Sequence, residues 1–156
     1  MSPAKETAEK LIASNKKAYH DYFVLSKQEA GVVLTGTEVK SLREGRVNLK
    51  DSYVIVKGDE AFLLGTHISP YSHGNRENHD PERTRKLLLH RREIARLAEE
   101  IMQRGLTIVP LRLYFRKGKV KVEIGVVRGK KLFDKRETEK RREADRETAS
   151  AIKAGR

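Results

Sequence analysis

The stretch from residue 111 to residue 127, LRLYFRKGKVKVEIGVV, decides the fold. Apolar residues alternate with polar ones on both sides of Lys117-Gly118, which predicts two antiparallel strands joined by a tight turn. Alternate side chains lie on opposite faces of a sheet, so one face of this hairpin is apolar and the other is mostly basic. The basic face consists of Arg112, Tyr114, Arg116, Lys119 and Lys121.

Two interpretations fit a solvent-facing surface of this composition. Phosphates can pair with the cations while the ring of Tyr114 stacks on a base or sugar, which is typical of nucleic-acid binding. Charges that only discourage aggregation of the sheet have the same pattern. The hairpin therefore favours a nucleic-acid partner but leaves a purely solvating face open.

Four segments on the N-terminal side predict short strands. Residues 22–25 and 31–34 are rich in aromatic and β-branched residues and flank the polar residues 26–29, which indicates two adjoining strands. Residues 53–56 and 61–64 flank a short turn that contains Gly and Asp, which predicts a β-hairpin. All four segments suit a small sheet or barrel.

Two helices are predicted between the strands. Thr35 followed by Glu38 has the spacing of a capping box, and Gly45 ends a helix of about two turns. The next helix extends from about residue 91 to Gly105, because apolar residues recur there at helical spacing. These are Ile94, Leu97, Ala98, Ile101 and Met102.

A long polar segment, residues 67–80, is rich in Pro, Gly, Asn and His and predicts a surface loop. The apolar run at residues 85–89 that follows it is interpreted as a buried strand. Short strands, two helices and the absence of an internal repeat predict either a small barrel or an α+β sheet domain. The pattern alone does not choose between them.

The charge of the chain points to a polyanionic partner. Its 156 residues carry 34 Lys and Arg against 22 Asp and Glu, a formal net charge of +12. The sequence lacks cysteine, which excludes disulfides and cysteine nucleophiles and fits a cytoplasmic protein. No apolar stretch approaches the length of a membrane span, so we expect no membrane association.

Three parts are predicted. Residues 1–17 lack a sustained apolar face and are interpreted as a flexible N-terminal arm, and residues 18–128 form the folded domain. Residues 129–156 form a basic tail in which Ile152 is the only large apolar residue after Phe133. Such a tail cannot build a core, and a helix in it needs a partner for stability. Its cations include Lys130, Lys131, Lys135, Arg136, Lys140, Arg141 and Arg142.

Catalytic and metal sites are not expected. His20-Asp21 and the group of His73, His79 and Asp80 are the places where such chemistry can be suggested. Neither has the spacing of a metal motif, and polar loops collect His and Asp for turns as readily as for catalysis. We therefore expect no enzyme activity, no metal and no cofactor.

Eleven short runs along the chain closely resemble the SsrA-binding protein family, also called small protein B. They stand in the family's order and approximate spacing over residues 15 to about 136. The runs are NKKA (15–18), HDYF (20–23), EAG (29–31), LTGTEVKSLR (34–43), DSYV (51–54), HISPY (67–71), NHDP (78–81), RKLLL (85–89), REI (92–94), GKK (129–131) and DKR (134–136).

The resemblance implies a mainly β fold, an oligonucleotide-binding barrel of about six antiparallel strands with short helices, followed by a tail that is disordered when free and helical on the ribosome. It also implies the partners. Members bind the tRNA-like domain of transfer-messenger RNA and accompany it, with elongation factor Tu, to stalled 70S ribosomes for trans-translation. The protein body then takes the place of part of a tRNA.

The family's RNA-contacting positions fall here on Asn15, Glu29, Leu88 and Lys121. Further residues of the same motifs and of the basic hairpin are expected to contact RNA or to support that surface; they are Glu38, Lys40, Arg43, Arg85, Lys86 and Lys119. Glu29 and Leu88 are not phosphate-binding residue types. A carboxylate can accept hydrogen bonds from base edges or orient a cation, and a leucine can pack on an unstacked base or support the site.

In the tail, the resemblance implies insertion into the empty mRNA channel of the small subunit. The family's Asp-Lys-Arg motif falls on Asp134, Lys135 and Arg136, and Phe133 is expected to stack on a base of 16S rRNA in the decoding centre. A general ribosome-associated RNA-binding protein or RNA chaperone is the alternative, and it predicts similar affinity for any structured RNA.

Overall fold

The computed structural model describes residues 9–72, 78–103 and 105–130. These residues form nine strands and three helices. The strands are β1 (Glu9–Ser14), β2 (Tyr22–Val32), β3 (Val47–Asn48), β4 (Tyr53–Lys57), β5 (Glu60–Leu64), β6 (His67–Ile68), β7 (Arg85–Leu88), β8 (Leu106–Arg116) and β9 (Lys119–Gly129). The helices are α1 (Lys16–Asp21), α2 (Gly36–Arg43) and α3 (Arg91–Ile101).

Six of the strands close into an antiparallel barrel in the order β8-β4-β5-β7-β2-β9, and the pairing of β9 with β8 completes the circle. β1 adds to β8, while β3 and β6 form a separate two-stranded sheet. The barrel encloses a core of aliphatic side chains from all of its strands and from α3. The six-stranded barrel implied by the resemblance is therefore confirmed, and the open α+β sheet is excluded.

The β8–β9 hairpin is confirmed. Lys117 and Gly118, its two turn residues, have φ angles of 52° and 76°, as a type I′ turn requires. An irregularity between Pro110 and Arg112 turns Leu111 away from the barrel interior, so that it packs beneath Ala18 of α1. The alternation read from the sequence is therefore wrong at Leu111.

The N-terminal arm predicted for residues 1–17 is wrong from residue 9 onward. β1 pairs with the C-terminal half of β8, and α1 begins at Lys16. β1 had no sequence signal because it is held mainly by backbone hydrogen bonds to β8, while only Ile12 and Ala13 pack against the core. Residues 1–8 lie outside the described residues.

The two strands predicted for residues 22–25 and 31–34 are one continuous strand, β2. Its polar middle, residues 26–29, pairs with β9, so the backbone there is fully supported although the side chains are partly exposed. A register shift between Val24 and Ser26 bends the strand around the barrel.

The remaining elements are mostly confirmed. The β4–β5 hairpin, the strand β7 and both predicted helices are present, and the Thr35–Glu38 capping box is complete at α2. The predicted loop 67–80 is wrong at its start, because β6 pairs with β3 and buries Ile68. Residues 73–77 lie outside the described residues.

Candidate nucleic-acid interface

Three of the predicted RNA-binding residues surround Gly31 on the outer face of the barrel. Gly31 of β2 pairs with Leu88 of β7 on one side and with Lys121 of β9 on the other. Glu29 lies two residues back on β2, on the same face. Together with Gln28 they line an open cleft of about 390 Å³.

Gly31 gives the cleft its shape. A Cβ atom at this position would lie 3.1 Å from Cβ and 3.3 Å from Cδ1 of Leu88, which is tighter than ordinary contact. The missing side chain lets Leu88 lie across β2 while remaining 54% exposed. An exposed leucine beside Lys121 offers an apolar contact to a base and a charge to a phosphate.

Glu29 is held by two donors from β8. The hydroxyl of Tyr114 donates to Oε1 at 2.8 Å, and Nη1 of Arg116 donates to Oε2 at 3.0 Å and to Oε1 at 3.3 Å. Partial burial on its own would raise the pKa of Glu29, but these hydrogen bonds more than offset it and the pKa is lowered. The carboxylate is therefore ionised and oriented.

Tyr114 is not an exposed stacking ring, which corrects the sequence prediction. Its side chain is 2% exposed, and the guanidinium of Arg112 lies 4.3 Å from the ring centroid. Arg112 is fixed there by hydrogen bonds to Glu9 at 2.7 Å and to Glu123 at 3.2 Å. Since Glu9 belongs to β1, the missed strand explains why the ring was expected to face solvent.

Asn15, predicted as an RNA contact, has structural partners within the protein. Its side chain is 5% exposed and caps α1 by accepting a hydrogen bond from the backbone N–H of Ala18. Its amide donates to the carbonyl oxygens of Pro110 at 2.8 Å and Leu49 at 3.3 Å. Both amide protons are thus used within the protein.

Arg85, also predicted to belong to the RNA-binding surface, has a completely buried side chain. Nε donates to Oε2 of Glu38 at 2.6 Å, and the two Nη atoms donate to the carbonyl oxygens of Thr66 and Pro81. Glu38 is equally buried, so its side chain supports the fold from within.

Glu38 stays ionised in spite of its burial. Burial on its own would raise its pKa, but hydrogen bonds from Arg83, from the backbone N–H of Thr35 and from Arg85 lower it below the ordinary value of 4.5. This buried network ties α2 to the start of β7, which carries Leu88 at its other end.

Four of the predicted cations are at the surface. Lys119 lines a second cleft next to the first, together with Leu88 and Val39 of α2. Lys40 lies 5.5 Å from the ring of Tyr71, and Arg43 is exposed one turn further along α2. Lys86 pairs with Glu60 at 3.0 Å.

Gln28, which lines the cleft, and Arg116, which hydrogen-bonds the cleft residue Glu29, were missing from the predicted site. Arg116 was placed on the basic face of the hairpin, and its link to Glu29 depends on the register of β2, which sequence periodicity does not reveal. Gln28 was assigned to a connection between strands. It hydrogen-bonds Glu93 of α3 and thereby closes one side of the cleft.

In the tail, Lys130 is the only predicted residue within the described part of the chain. It donates to the carbonyl oxygen of Tyr19 at 3.1 Å and lies 5.3 Å from the ring of Phe23. The other predicted tail residues lie outside the described residues; they are Lys131, Phe133, Asp134, Lys135, Arg136, Lys140, Arg141 and Arg142.

The histidines that were considered for catalysis have structural partners. Nδ1 of His20 lies 2.9 Å from Asp21, and His79 bridges Thr37 and the carbonyl oxygen of Ile68. His73 lies outside the described residues. Within residues 9–72, 78–103 and 105–130, no three His, Asp or Glu side chains converge as metal ligands would. The same residues contain no helix that is long and apolar enough to cross a bilayer.

The fold is a closed antiparallel barrel, and the open cleft on its outer face is lined by Lys121 and by the exposed Leu88. These features define the class: an oligonucleotide-binding-type barrel protein. The SmpB protein family model matches residues 12–154. The chain belongs to the SmpB family.

Similar proteins agree with this assignment. The chain is 62% identical to the SsrA-binding protein of Geotalea uraniireducens over 94% of its length and 97% of that protein. It is 64% identical to the SsrA-binding protein of Syntrophobacter fumaroxidans, over 90% of this chain and 89% of that protein. It also resembles a chain solved in "tmRNA-SmpB: a journey to the center of the bacterial ribosome", with a TM-score of 0.66, 47% identity, and coverage of 76% of this chain and 83% of that one.

Proposed function

We propose that this protein binds the tRNA-like domain of transfer-messenger RNA and delivers it to stalled ribosomes for trans-translation. Relatives that are 55–64% identical over nearly the whole chain are SsrA-binding proteins, and the similar solved chain comes from work on tmRNA-SmpB and the bacterial ribosome. The protein acts by binding, in the cytoplasm, and not as an enzyme. Elongation factor Tu accompanies the charged RNA.

The observation that carries the proposal is the arrangement around Gly31. Leu88 and Lys121 come from strands far apart in sequence, and β2 brings them to one cleft with Glu29. An apolar group and a cation side by side match unstacked bases next to phosphates, which are the features that single-stranded or looped RNA exposes. A protein that only neutralises phosphate needs no exposed leucine at this place.

The barrel and the tail have separable tasks in this proposal. The cleft binds transfer-messenger RNA, while the tail beyond Lys130 enters the empty mRNA channel, with Phe133 and the Asp134-Lys135-Arg136 motif near the decoding centre. The predicted start of the tail at residue 129 is one residue early, because Gly129 still pairs with Tyr22 in the barrel. The other tail cations, Lys130, Lys131, Lys140, Arg141 and Arg142, contact 16S rRNA phosphates. The tail becomes helical only there, since it has too few apolar residues to fold alone.

Truncation after Lys130 tests this division, because β9 ends at Gly129 and the whole barrel is kept. The shortened protein should bind transfer-messenger RNA within about twofold of the full chain, since the cleft is intact. Peptide tagging on ribosomes stalled at the end of a message should be lost. Equal loss of binding and tagging would contradict the two-part proposal.

Leu88→Ala tests the cleft itself. The affinity for transfer-messenger RNA should fall roughly tenfold, because covering the exposed half of the leucine contributes about 1–1.5 kcal/mol. Met102→Ala is the matched control, since Met102 is an exposed apolar side chain at the end of α3, away from the cleft. Binding of an unrelated structured RNA of equal length at the same salt identifies the alternative: a general RNA chaperone binds both RNAs alike.

A further inference from the structure

Glu29 presents an electrostatic problem in an RNA-binding cleft, because a carboxylate repels phosphate. Its two oxygens already accept hydrogen bonds from Tyr114 and Arg116, and its lowered pKa shows that the charged form is favoured. Such a carboxylate has little capacity left for base edges. Its geometry suits the fixing of an arginine.

Arg116 has the properties of an RNA ligand. Its side chain is 36% exposed, and both of its hydrogen bonds to Glu29 come from the single atom Nη1. Nε and Nη2 donate to no other residue within the described part of the chain, and two such donors match the paired oxygens of a phosphate. Arg116 pairs across the sheet with Lys119, two residue pairs along the hairpin from Tyr114 and Lys121 and therefore on the same face.

Tyr114 is the buried partner of Glu29. Its hydroxyl reaches Glu29 across β9, and Arg112 over its ring keeps the side chain in place. Burial and the nearby carboxylate raise the pKa of Tyr114, so the hydroxyl remains a donor at any physiological pH. Tyr114 therefore fixes the position of the carboxylate that fixes Arg116.

We propose that Arg116 is a phosphate-binding residue of this RNA site and that Glu29 and Tyr114 are positioning residues, which act on RNA only through Arg116. The inference rests on the proposed function and assigns a task to each of the three groups. Glu29 then contributes to affinity without touching RNA.

A double-mutant cycle tests the proposal with transfer-messenger RNA as the probe. Arg116→Ala should weaken binding roughly tenfold and reduce the slope of log affinity against log salt by about one. Arg46→Ala is the matched control, because Arg46 forms a surface pair with Glu44 at similar exposure but outside the cleft. It should change affinity less than twofold.

Glu29→Gln and Tyr114→Phe should each weaken binding roughly threefold to fivefold in the wild-type background and have no further effect in Arg116→Ala. Arg116→Lys, which keeps the charge but loses the planar fork, should recover the salt slope and only part of the affinity. Thermal unfolding of each variant identifies losses that come from folding.

Two results would overturn the inference. One is an Arg116→Ala protein that binds as well as Arg46→Ala. The other is a Glu29→Gln effect of equal size in both backgrounds, which would mean that Glu29 contacts RNA directly. Either result leaves the proposed function standing if Leu88→Ala still weakens binding, whereas a wild-type chain that does not prefer transfer-messenger RNA contradicts the proposed function itself.

Discussion

Two carboxylates of this protein are each held by arginine, yet they serve different ends. Glu38 lies fully buried between Arg83 and Arg85, whereas Glu29 lies at the rim of the cleft with Arg116, and both partners there are about one-third exposed. Both glutamates were predicted to belong to the RNA-binding surface. A glutamate–arginine pair therefore supports the fold where it is buried away from water. The same pair of residue types is available to a ligand where it is partly exposed to solvent.

The largest expected effect is the loss of the buried pair. Arg85→Ala leaves the carboxylate of Glu38 without its main buried partner and removes hydrogen bonds to Thr66 and Pro81. The free energy of unfolding should fall by about 3–5 kcal/mol, as measured by urea denaturation. Arg116→Ala should lower it by less than about 1 kcal/mol. Equal losses for the two variants would contradict the different roles of Arg85 and Arg116.

The pH dependence of stability also distinguishes Glu38 from Glu29. The pKa of Glu38 is lower in the folded protein than its ordinary value of 4.5, so its stabilising contribution is fully present above pH 4.5 and is lost as the pH falls through the folded pKa. Glu38→Gln should therefore be less stable than the wild type at neutral pH, and the difference should narrow on acidification.

The control for that titration is Glu29→Gln. The pKa of Glu29 is shifted in the same direction, but its side chain is 34% exposed and solvent screens its interactions. In urea or thermal unfolding, Glu29→Gln should differ from the wild type in its free energy of unfolding by less than Glu38→Gln does at every pH. A larger acid-dependent loss for Glu29 than for Glu38 would reverse the assignment of the two roles.

A small effect on stability, similar to that of Arg116→Ala, is expected from a change that touches neither ion pair. In Gly31→Ala the new Cβ meets Cβ of Leu88 at 3.1 Å and Cδ1 at 3.3 Å. Rotation of the exposed side chain relieves the second contact, but the first requires the backbone of β7 to shift by a few tenths of an ångström. The free energy of unfolding should fall by about 1 kcal/mol or less. The affinity for RNA should fall severalfold, because Leu88 leaves its position in the cleft. Titration with transfer-messenger RNA measures the second effect, and unchanged affinity would show that the placement of Leu88 is unimportant.

The sequence predicted those parts of the fold whose signals are local. The Thr35–Glu38 capping box, the Lys117-Gly118 turn and the helical spacing of Ile94 and Leu97 each specify an element within a few residues. β1 was missed because its support comes from β8, about 100 residues away, and not from its own periodicity. Pairing over such distances cannot be read from local patterns.

The candidate site was predicted in part for the same reason. The resemblance located Glu29, Leu88 and Lys121, which the barrel indeed brings together. It did not separate contact from support, because exposure depends on the complete fold: Asn15 and Arg85 are buried by elements distant in sequence. Arg116 was on the predicted basic face, but only the register of β2 and β9 places it beside Glu29.

The position of β1 has a practical consequence for protein engineering. Glu9, near the start of the described chain, holds Arg112 over Tyr114, and Tyr114 in turn contacts Glu29 in the cleft. A purification tag or fluorescent label attached close to this strand is therefore connected to the RNA-binding face through a relay of four side chains. Shortened versions of the protein should begin before Glu9, because a start at residue 18 removes that relay together with the cap of α1.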